Sequence, residues 1–406
     1  MKTGITGNPK SDVLNALSTF VDWLDRYGET SHDHQSFFAG DVGRAAKALY
    51  YRNRKVGTFA VAPMILCEAF LPGARGMFWK RQRFPIADAH YASGFAFLAG
   101  KLGDQRYHAR ATHFLDVLIE TRSPGFSNYA WGYPFDWVTM NGTIKAGTPL
   151  ITTVPYVYEA FRQVYQLDRN KKWFGIMRSI ADHGLNDYED FDTSPTGRSC
   201  AYSPRPAKLG GVINASAYRA CMLTLAAHDF QDERYRRVAD GNLNFVLESQ
   251  NQDGSWFYST DGKRDFVDHY HTCFVMKALA KIHQQTNCPR VAAAIERGVG
   301  YYVANLFEEG LPKPFSRAPR LTVYRRELYD YAECLNLSAL LRGRFPSLDS
   351  LLPGVVNDVL GRWRKQDGSF RSRQLLLTWD NVPMHRWAQA QLFRSLCLLV
   401  SQEQAA

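Results

Sequence analysis

The chain has 406 residues, a formal net charge of +10, 45% hydrophobic residues and 22% charged ones. That length exceeds what one conventional hydrophobic core fills, so growth by repetition is expected. No stretch approaches the roughly 18 uninterrupted apolar residues that a membrane span requires, and the basic excess, clustered at 52–55, 80–83 and 362–365, favours anionic partners: acidic glycan, anionic lipid at the membrane periphery, or nucleic acid. No nucleic-acid-binding motif accompanies the clusters, so nucleic acid is not the expected partner.

Amphipathic spacing marks helices over 11–27, 105–122, 171–184, 232–249, 288–307 and 347–363, with charged residues off the apolar stripe, as in RYRRVADGNLNFVLES. Alternating with them are segments over 86–100, 149–166, 211–229, 267–284, 328–343 and 384–400, poor in charge and rich in Ala, Ser, Cys and Tyr. Helices buried on most sides have that composition. Ala96, Ala160, Ala220, Ala278, Ala339 and Ala390 mark the second set, separated by 64, 60, 58, 61 and 51 residues. Each pair can bury its apolar face only against its neighbours. The expected fold is all-α: a single (α/α)6 toroid, a barrel of six helical hairpins over 1–406. Residues 1–84 supply the first outer helix and an N-terminal helical extension, whose 40–71 pack on the ring, and 85–406 supply the repeated hairpins.

The N-terminus, MKTGITGNPKSDVLNALSTF, lacks the basic-then-apolar order of a secretory signal. Seven cysteines, an odd number, never occur as CxxC. Reduced thiols in a cytoplasm fit best, and a structural zinc does not. HxxxH and HExxH spacings are also absent, so neither metal nor cofactor is expected.

Loops over 123–147, 185–210 and 308–327 are long, aromatic and polar, and each enters an inner helix at its N-terminus. Long loops in a compact domain are commonly functional, and in a ring of hairpins all inner N-termini meet at one mouth. The first turns there carry Asp88 and His90, Asn214, Asp268 with His269 and His271, Asp330 and Glu333, and His385 and Arg386. Part of this polarity is helix capping, expected at Asp88, Thr148 and Asn381. Histidines are not caps. Asp268 and His271 share a helix face at i, i+3, whereas His269 points away, so one histidine should face the mouth with Asp268 while the other packs or bonds a neighbouring loop. A carboxylate beside an imidazole fixes its tautomer for acid or base work. In the loop NYAWGYPFDW, Trp131 and Tyr133 surround Asp136 with rings that suit a sugar face, an isoprenoid chain or simple packing, and Asp136 among them could carry a raised pKa. Tyr202 precedes the Asn214 helix and could donate a proton.

Gln252-Asp253-Gly254-Ser255-Trp256 and Gln366-Asp367-Gly368-Ser369-Phe370 follow outer helices, with a degenerate copy ending in Pro124-Gly125-Phe126. This text resembles the repeat of terpene cyclases and prenyltransferases, which recurs in α/α-toroid polysaccharide lyases, six-hairpin glycosidases and uronyl epimerases. Its physical role is a turn that ends the outer helix and an aromatic plug between hairpins. Through RFPIADAHY, WGYPFDW, GTPLITTVPYVYEAF and DHYHTCFV the chain also resembles a bacterial family associated with exopolysaccharide and surface-glycan gene sets. That resemblance implies a polysaccharide context and assigns no reaction. The D-x-D-D signature of terpene cyclases is absent, which leaves an isoprenoid cyclase a minor alternative.

Toroidal lyases neutralise a uronate carboxylate with Asn or Arg, take the C5 proton with His or Tyr and protonate the leaving oxygen with Tyr. On that pattern Asn214 and Arg386 would hold the carboxylate, His271 or His269 would be the base with Asp268 orienting it, and Tyr202 would be the acid. The expected function is thus proton abstraction from an anionic glycan, as lyase or epimerase. The alternatives are a glycoside hydrolase using two of Asp136, Asp268, Asp330 and Glu333, and a non-catalytic glycan-binding or assembly protein.

Overall fold

The computed structural model describes residues 9–204, 210–319 and 321–402, and the architecture is the (α/α)6 toroid. The outer helices are α1 (Pro9–Tyr27), α5 (Gln105–Glu120), α7 (Lys171–Asn186), α9 (Glu233–Glu248), α11 (Pro289–Asn305) and α13 (Leu352–Asp358). The inner ones are α4 (Pro85–Leu102), α6 (Val154–Asp168), α8 (Ile213–Phe230), α10 (His269–Thr286), α12 (Leu328–Leu340) and α14 (Ala390–Gln402). Between α1 and α4 lie the extension helices α2 (Asp41–Arg52) and α3 (Arg54–Phe70). Each inner helix packs on the next, and α14 returns to α4 to close the ring.

Four inner-to-outer connections are two-residue turns: Gly103-Asp104, Arg169-Asn170, Gln231-Asp232 and Asn287-Cys288. The first residue of each is left-handed, with φ of 66°, 56°, 52° and 48°. In three, the second caps the outer helix: Asp104, Asn170 and Asp232 accept the N–H of Arg106, Lys172 and Arg234 at 2.9, 3.0 and 3.0 Å. A left-handed stop followed at once by a side-chain start reverses the chain in the least length.

The opposite end carries the long loops. Asp253 and Asp367 each accept the N–H of the serine two residues on at 2.9 Å, the turn of the Asp-Gly-Ser text. Gly254 and Gly368 have φ of 91° and 95°, and a Cβ there would collide with the carbonyl of Arg297 on α11 and of Thr19 on α1. These turns therefore press on the next outer helix around the ring. Trp256 plugs the gap, its Nε1 donating to Val246 O at 3.0 Å, and Trp131 does the same to Leu118 O at 2.7 Å.

Three boundaries differ from the periodic pattern. The outer helix expected over 347–363 is a short turn at Pro346–Asp349 followed by α13 and a π-helical turn at Val359–Trp363, because Pro346 and Pro353 each open a helical turn of their own. The second inner helix starts at Val154 rather than 149, fixed by Pro155 in its first turn. The last is preceded by a π-helical turn, His385–Gln389. π-Turns inside helices are uncommon and cluster at functional sites.

Candidate functional site

α4, α6, α8 and α12 begin without a side-chain cap, whereas α10 is capped by Asp268, whose Oδ1 accepts the His271 N–H at 2.9 Å. The capping expected elsewhere does not occur. Asp88 is the fourth residue of α4 and accepts from Arg83 Nε at 3.0 Å; burial outweighs that cation and pushes its pKa up to about 7. Thr148 lies in the turn ahead of α6, and Asn381 offers its carbonyl to Lys365.

Asp268 uses its second oxygen on His271 Nδ1, at 2.6 Å. A carboxylate only accepts, so Nδ1 carries a proton, and Nε2 is the ring nitrogen that the carboxylate does not engage. The His271 side chain is 20% exposed, while Asp268 is buried. His269 turns the other way: Tyr302 Oη lies 2.7 Å from Nε2, and the carbonyls of Leu306 and Lys313 lie 3.2 Å from Nδ1. Burial drives its pKa down to about 3. With both nitrogens engaged among the residues of α11 and its following loop, His269 is a packing residue and not a base.

Around His271 the mouth is rimmed by rings. Tyr258 lies 4.7 Å from His271 and Phe274 5.5 Å; Phe274 meets Tyr329 at 6.0 Å, which stacks on Trp387 at 4.5 Å. The circuit continues through Arg386 over Tyr133 at 4.5 Å, Tyr133 to Trp137 at 5.7 Å and Trp137 to Tyr202 at 6.2 Å. The Tyr202 hydroxyl accepts from Thr152 at 3.2 Å, and burial holds its pKa well above the usual phenol value. Asn214, in the first turn of α8, is buried with its side-chain oxygen unpartnered among the described residues.

A charged floor lies one to three turns deeper. Lys281 reaches both Glu159 oxygens at 2.6 Å, and Arg394 reaches Glu159 at 2.8 Å. Burial would raise the Glu159 pKa, but the two cations outweigh it and hold it low. Lys277 pairs with Glu333, and Tyr156 bonds Tyr218 at 2.5 Å. His90 packs on Tyr156 at 4.5 Å, and burial and Arg394 keep it neutral. Asp330 is buried with neither oxygen bonded among the described residues; burial, reinforced by Glu327 and Asp268, holds it protonated.

Four further expectations need correction. Asp136 is tied to Ala146 N and Lys145 Nζ, both at 3.0 Å, and those bonds lower its pKa instead of raising it, because it braces a hairpin and is not enclosed by rings. Trp131 is buried at a hairpin junction and offers no platform. His385 is buried between Tyr91 Oη at 2.6 Å and Gly28 O at 2.9 Å, locking the extension to the ring. Arg386 is engaged by both oxygens of Asp33, at 2.8 and 2.6 Å, so its charge is already balanced.

Glu159, Lys277, Lys281, Arg394, Tyr156, Tyr218, Tyr258, Tyr329 and Trp387 join the site without having been singled out from the sequence. A usable signal existed for the charged ones: they are ionisable residues inside helices otherwise poor in charge. Two open clefts, of about 450 and 550 Å³, lie outside the mouth, beside Glu308, Arg326 and Arg362 and beside Glu29, Arg83 and His113. Their linings are largely paired ions.

Neither a protein-family model nor a curated protein sequence matches the chain. Solved structures do. A cellobiose 2-epimerase from Bacillus thermoamylovorans is 10% identical with a TM-score of 0.62, covering 79% of this chain and 88% of its own. An α-1,6-mannanase from Salegentibacter sp. is 13% identical at 0.58, covering 79% and 89%. A polysaccharide lyase is 10% identical at 0.53, covering 77% and 88%. At such identities the likeness is one of fold, and three reaction classes share it.

Proposed function

We propose that the chain is a carbohydrate-active enzyme of bacterial polysaccharide metabolism that removes an acidic C–H proton from a sugar, with His271 as the base and Asp268 orienting it. The observation that carries this is the 2.6 Å Asp268–His271 contact, which fixes the ring by Nδ1 and leaves Nε2 free of the carboxylate among the aromatic rings of the mouth. The substrate class we propose is a uronate-containing glycan. His271 takes the C5 proton, the C–H electron pair passes into the carboxylate, and Tyr202, kept protonated by burial, supplies the returning proton. Delivery to the leaving oxygen as the C4–O bond breaks makes a lyase, and delivery to the opposite face of C5 makes an epimerase.

The carboxylate must be held by groups other than Arg386. Asn214 and the cation excess of the floor, where Lys277, Lys281 and Arg394 face Glu159 and Glu333, remain for that work. Fixed donors in a dry site stabilise the doubly charged intermediate best.

A second reading, glycoside hydrolysis, is favoured by one observation: buried, protonated Asp330 has the state a general acid needs, with Glu333 or Asp268 as the second carboxylate. Incubation of the protein with acidic and neutral glycans in deuterated water, read by proton NMR, separates them. Deuterium at C5 supports proton abstraction, with unsaturated ends marking a lyase. New reducing ends without exchange support the hydrolase, and neither change on any glycan overturns both in favour of binding alone.

A further inference from the structure

Thirteen large apolar side chains are strongly exposed among the described residues, and seven of them fall between Val42 and Met77. Helix α3 organises this excess. Val56, Phe59, Pro63, Leu66 and Phe70 are all exposed on it and recur at alternating intervals of three and four residues, a single apolar stripe. Phe59 is 81% exposed, and Met77, beyond the end of α3, is 87% exposed. The opposite face of α3 is occupied: Met64 is buried with Phe37 and Ala46 in a small core, and Gly57 meets the backbone of α2. One face thus belongs to the protein and the other has no partner among the described residues.

The charges around the stripe are one-sided. Residues 42–81 contain eight Lys or Arg and a single carboxylate, Glu68. Glu68 is bound by Arg373 at 2.5 Å, and buried Arg75 pairs with Asp380 at 2.8 Å. Exposed Arg52, Arg54 and Lys55 stand at the beginning of the stripe, and exposed Lys80 and Arg81 follow its end. Arg81 bonds the backbone carbonyls of Tyr27 and Thr30 and pairs with no carboxylate among the described residues.

We infer that α3 is an in-plane docking helix for an anionic phospholipid surface, with the stripe at the acyl boundary and the flanking cations on the headgroups. Apolar stripe and basic flanks together are the physical requirements of an interfacial helix. Among the described residues no single helix is long and apolar enough to cross a membrane, and α3, with 17 residues, turns by 117° into the next helical segment and has one face packed on its own chain, which favours an in-plane setting. The extension sits at the mouth end of the ring, since α2 packs on the strand Trp137–Thr139 and Arg373 bridges Glu68 to Glu327 at the entry to α12. Docking would hold the mouth beside the headgroups. The inference is independent of the reaction assigned above.

Co-sedimentation of the full chain with vesicles tests it, using phosphatidylcholine alone and phosphatidylcholine mixed with phosphatidylglycerol. The wild type should pellet with the anionic vesicles and not with the neutral ones. Replacing Arg52, Arg54 and Lys55 by Gln should weaken partitioning about 100-fold, at about 1 kcal/mol per charge. A Phe59→Ser, Leu66→Ser double variant should lose at least about tenfold, since both side chains are exposed and their burial occurs only on docking. Circular dichroism of both variants should match the wild type, and the charge variant carries the test alone if the apolar one unfolds. Absence of wild-type binding to anionic vesicles, or unchanged binding in a folded charge variant, overturns the inference. A wild-type dimer in light scattering that the Phe59→Ser, Leu66→Ser variant dissociates also overturns it, assigning the stripe to a second copy of the chain.

Discussion

The two ends of the toroid are built from the same twelve helices by opposite means. At one end Gly103-Asp104, Arg169-Asn170, Gln231-Asp232 and Asn287-Cys288 reverse the chain in two residues, by repeated local chemistry. At the other, each connection is a long loop, and some of the polar side chains it frames are incompletely satisfied: the Asn214 side-chain oxygen and both Asp330 oxygens lack partners among the described residues, and the carboxylate of Asp268 leaves His271 Nε2 unengaged. Where short turns and local caps reverse the chain, the end is scaffold. Side chains held apart from partners at a cost mark the end to which the proposed chemistry is assigned.

Substitutions at the two ends should separate activity from stability. The largest effect is expected at His271. His271→Ala should lower kcat by about 10²- to 10⁴-fold, the usual worth of a positioned base, with little change in Tm because the side chain is partly exposed. A steady-state assay on the substrate found by NMR, beside a thermal melt, checks this; full activity in the variant would remove His271 from the mechanism. Trp256→Ala, at a junction of the same end, should do the reverse, costing about 3–5 kcal/mol in denaturant unfolding while a folded fraction keeps its turnover per molecule. If Trp256→Ala instead lost turnover with stability intact, the division between scaffold and rim would fail.

A smaller effect is expected with pH. Burial keeps His269 and His385 neutral, with pKa values down to about 3 and about 4, whereas the unfolded chain protonates near 6.5. Unfolding therefore takes up protons, and the stability these two contribute is complete above about 6.5 and is lost as pH falls toward their folded values. His385→Gln should flatten the fall in Tm between neutral and acidic pH, and an unchanged slope would show that His385 is not buried neutral. The smallest effect is expected at the far end: Asp104→Ala or Asp232→Ala should each lower Tm slightly as a lost cap and leave kcat unchanged, as a thermal melt beside the steady-state assay would read.

The ring was legible because its period of about sixty residues and the contrast between charged outer and Ala-rich inner stripes are local properties of the chain. The Asp-Gly-Ser turns belong to the same class, since each is settled within a few residues, whereas the caps fell at Asp104 and Asp232, which the chain had not singled out, and not at Asp88, Thr148 or Asn381. The pairing of Asp268 with His271 was readable too from their spacing of three, although Asp268 holds the imidazole as the cap of α10 and not from within the helix.

Which of two neighbouring histidines faces the mouth could be narrowed but not chosen from the chain. Tyr302 and the carbonyls of Leu306 and Lys313, more than thirty residues away in sequence, decided it. Arg386 looked available because its partner Asp33 lies 353 positions distant, and Trp131 looked like a sugar platform because its site between hairpins is invisible until the ring closes. Local bonds and periodicity are encoded in neighbouring residues and so determine the architecture from sequence alone. Burial and charge balance depend on which distant groups arrive, and only the closed ring and the extension folded across its mouth set those.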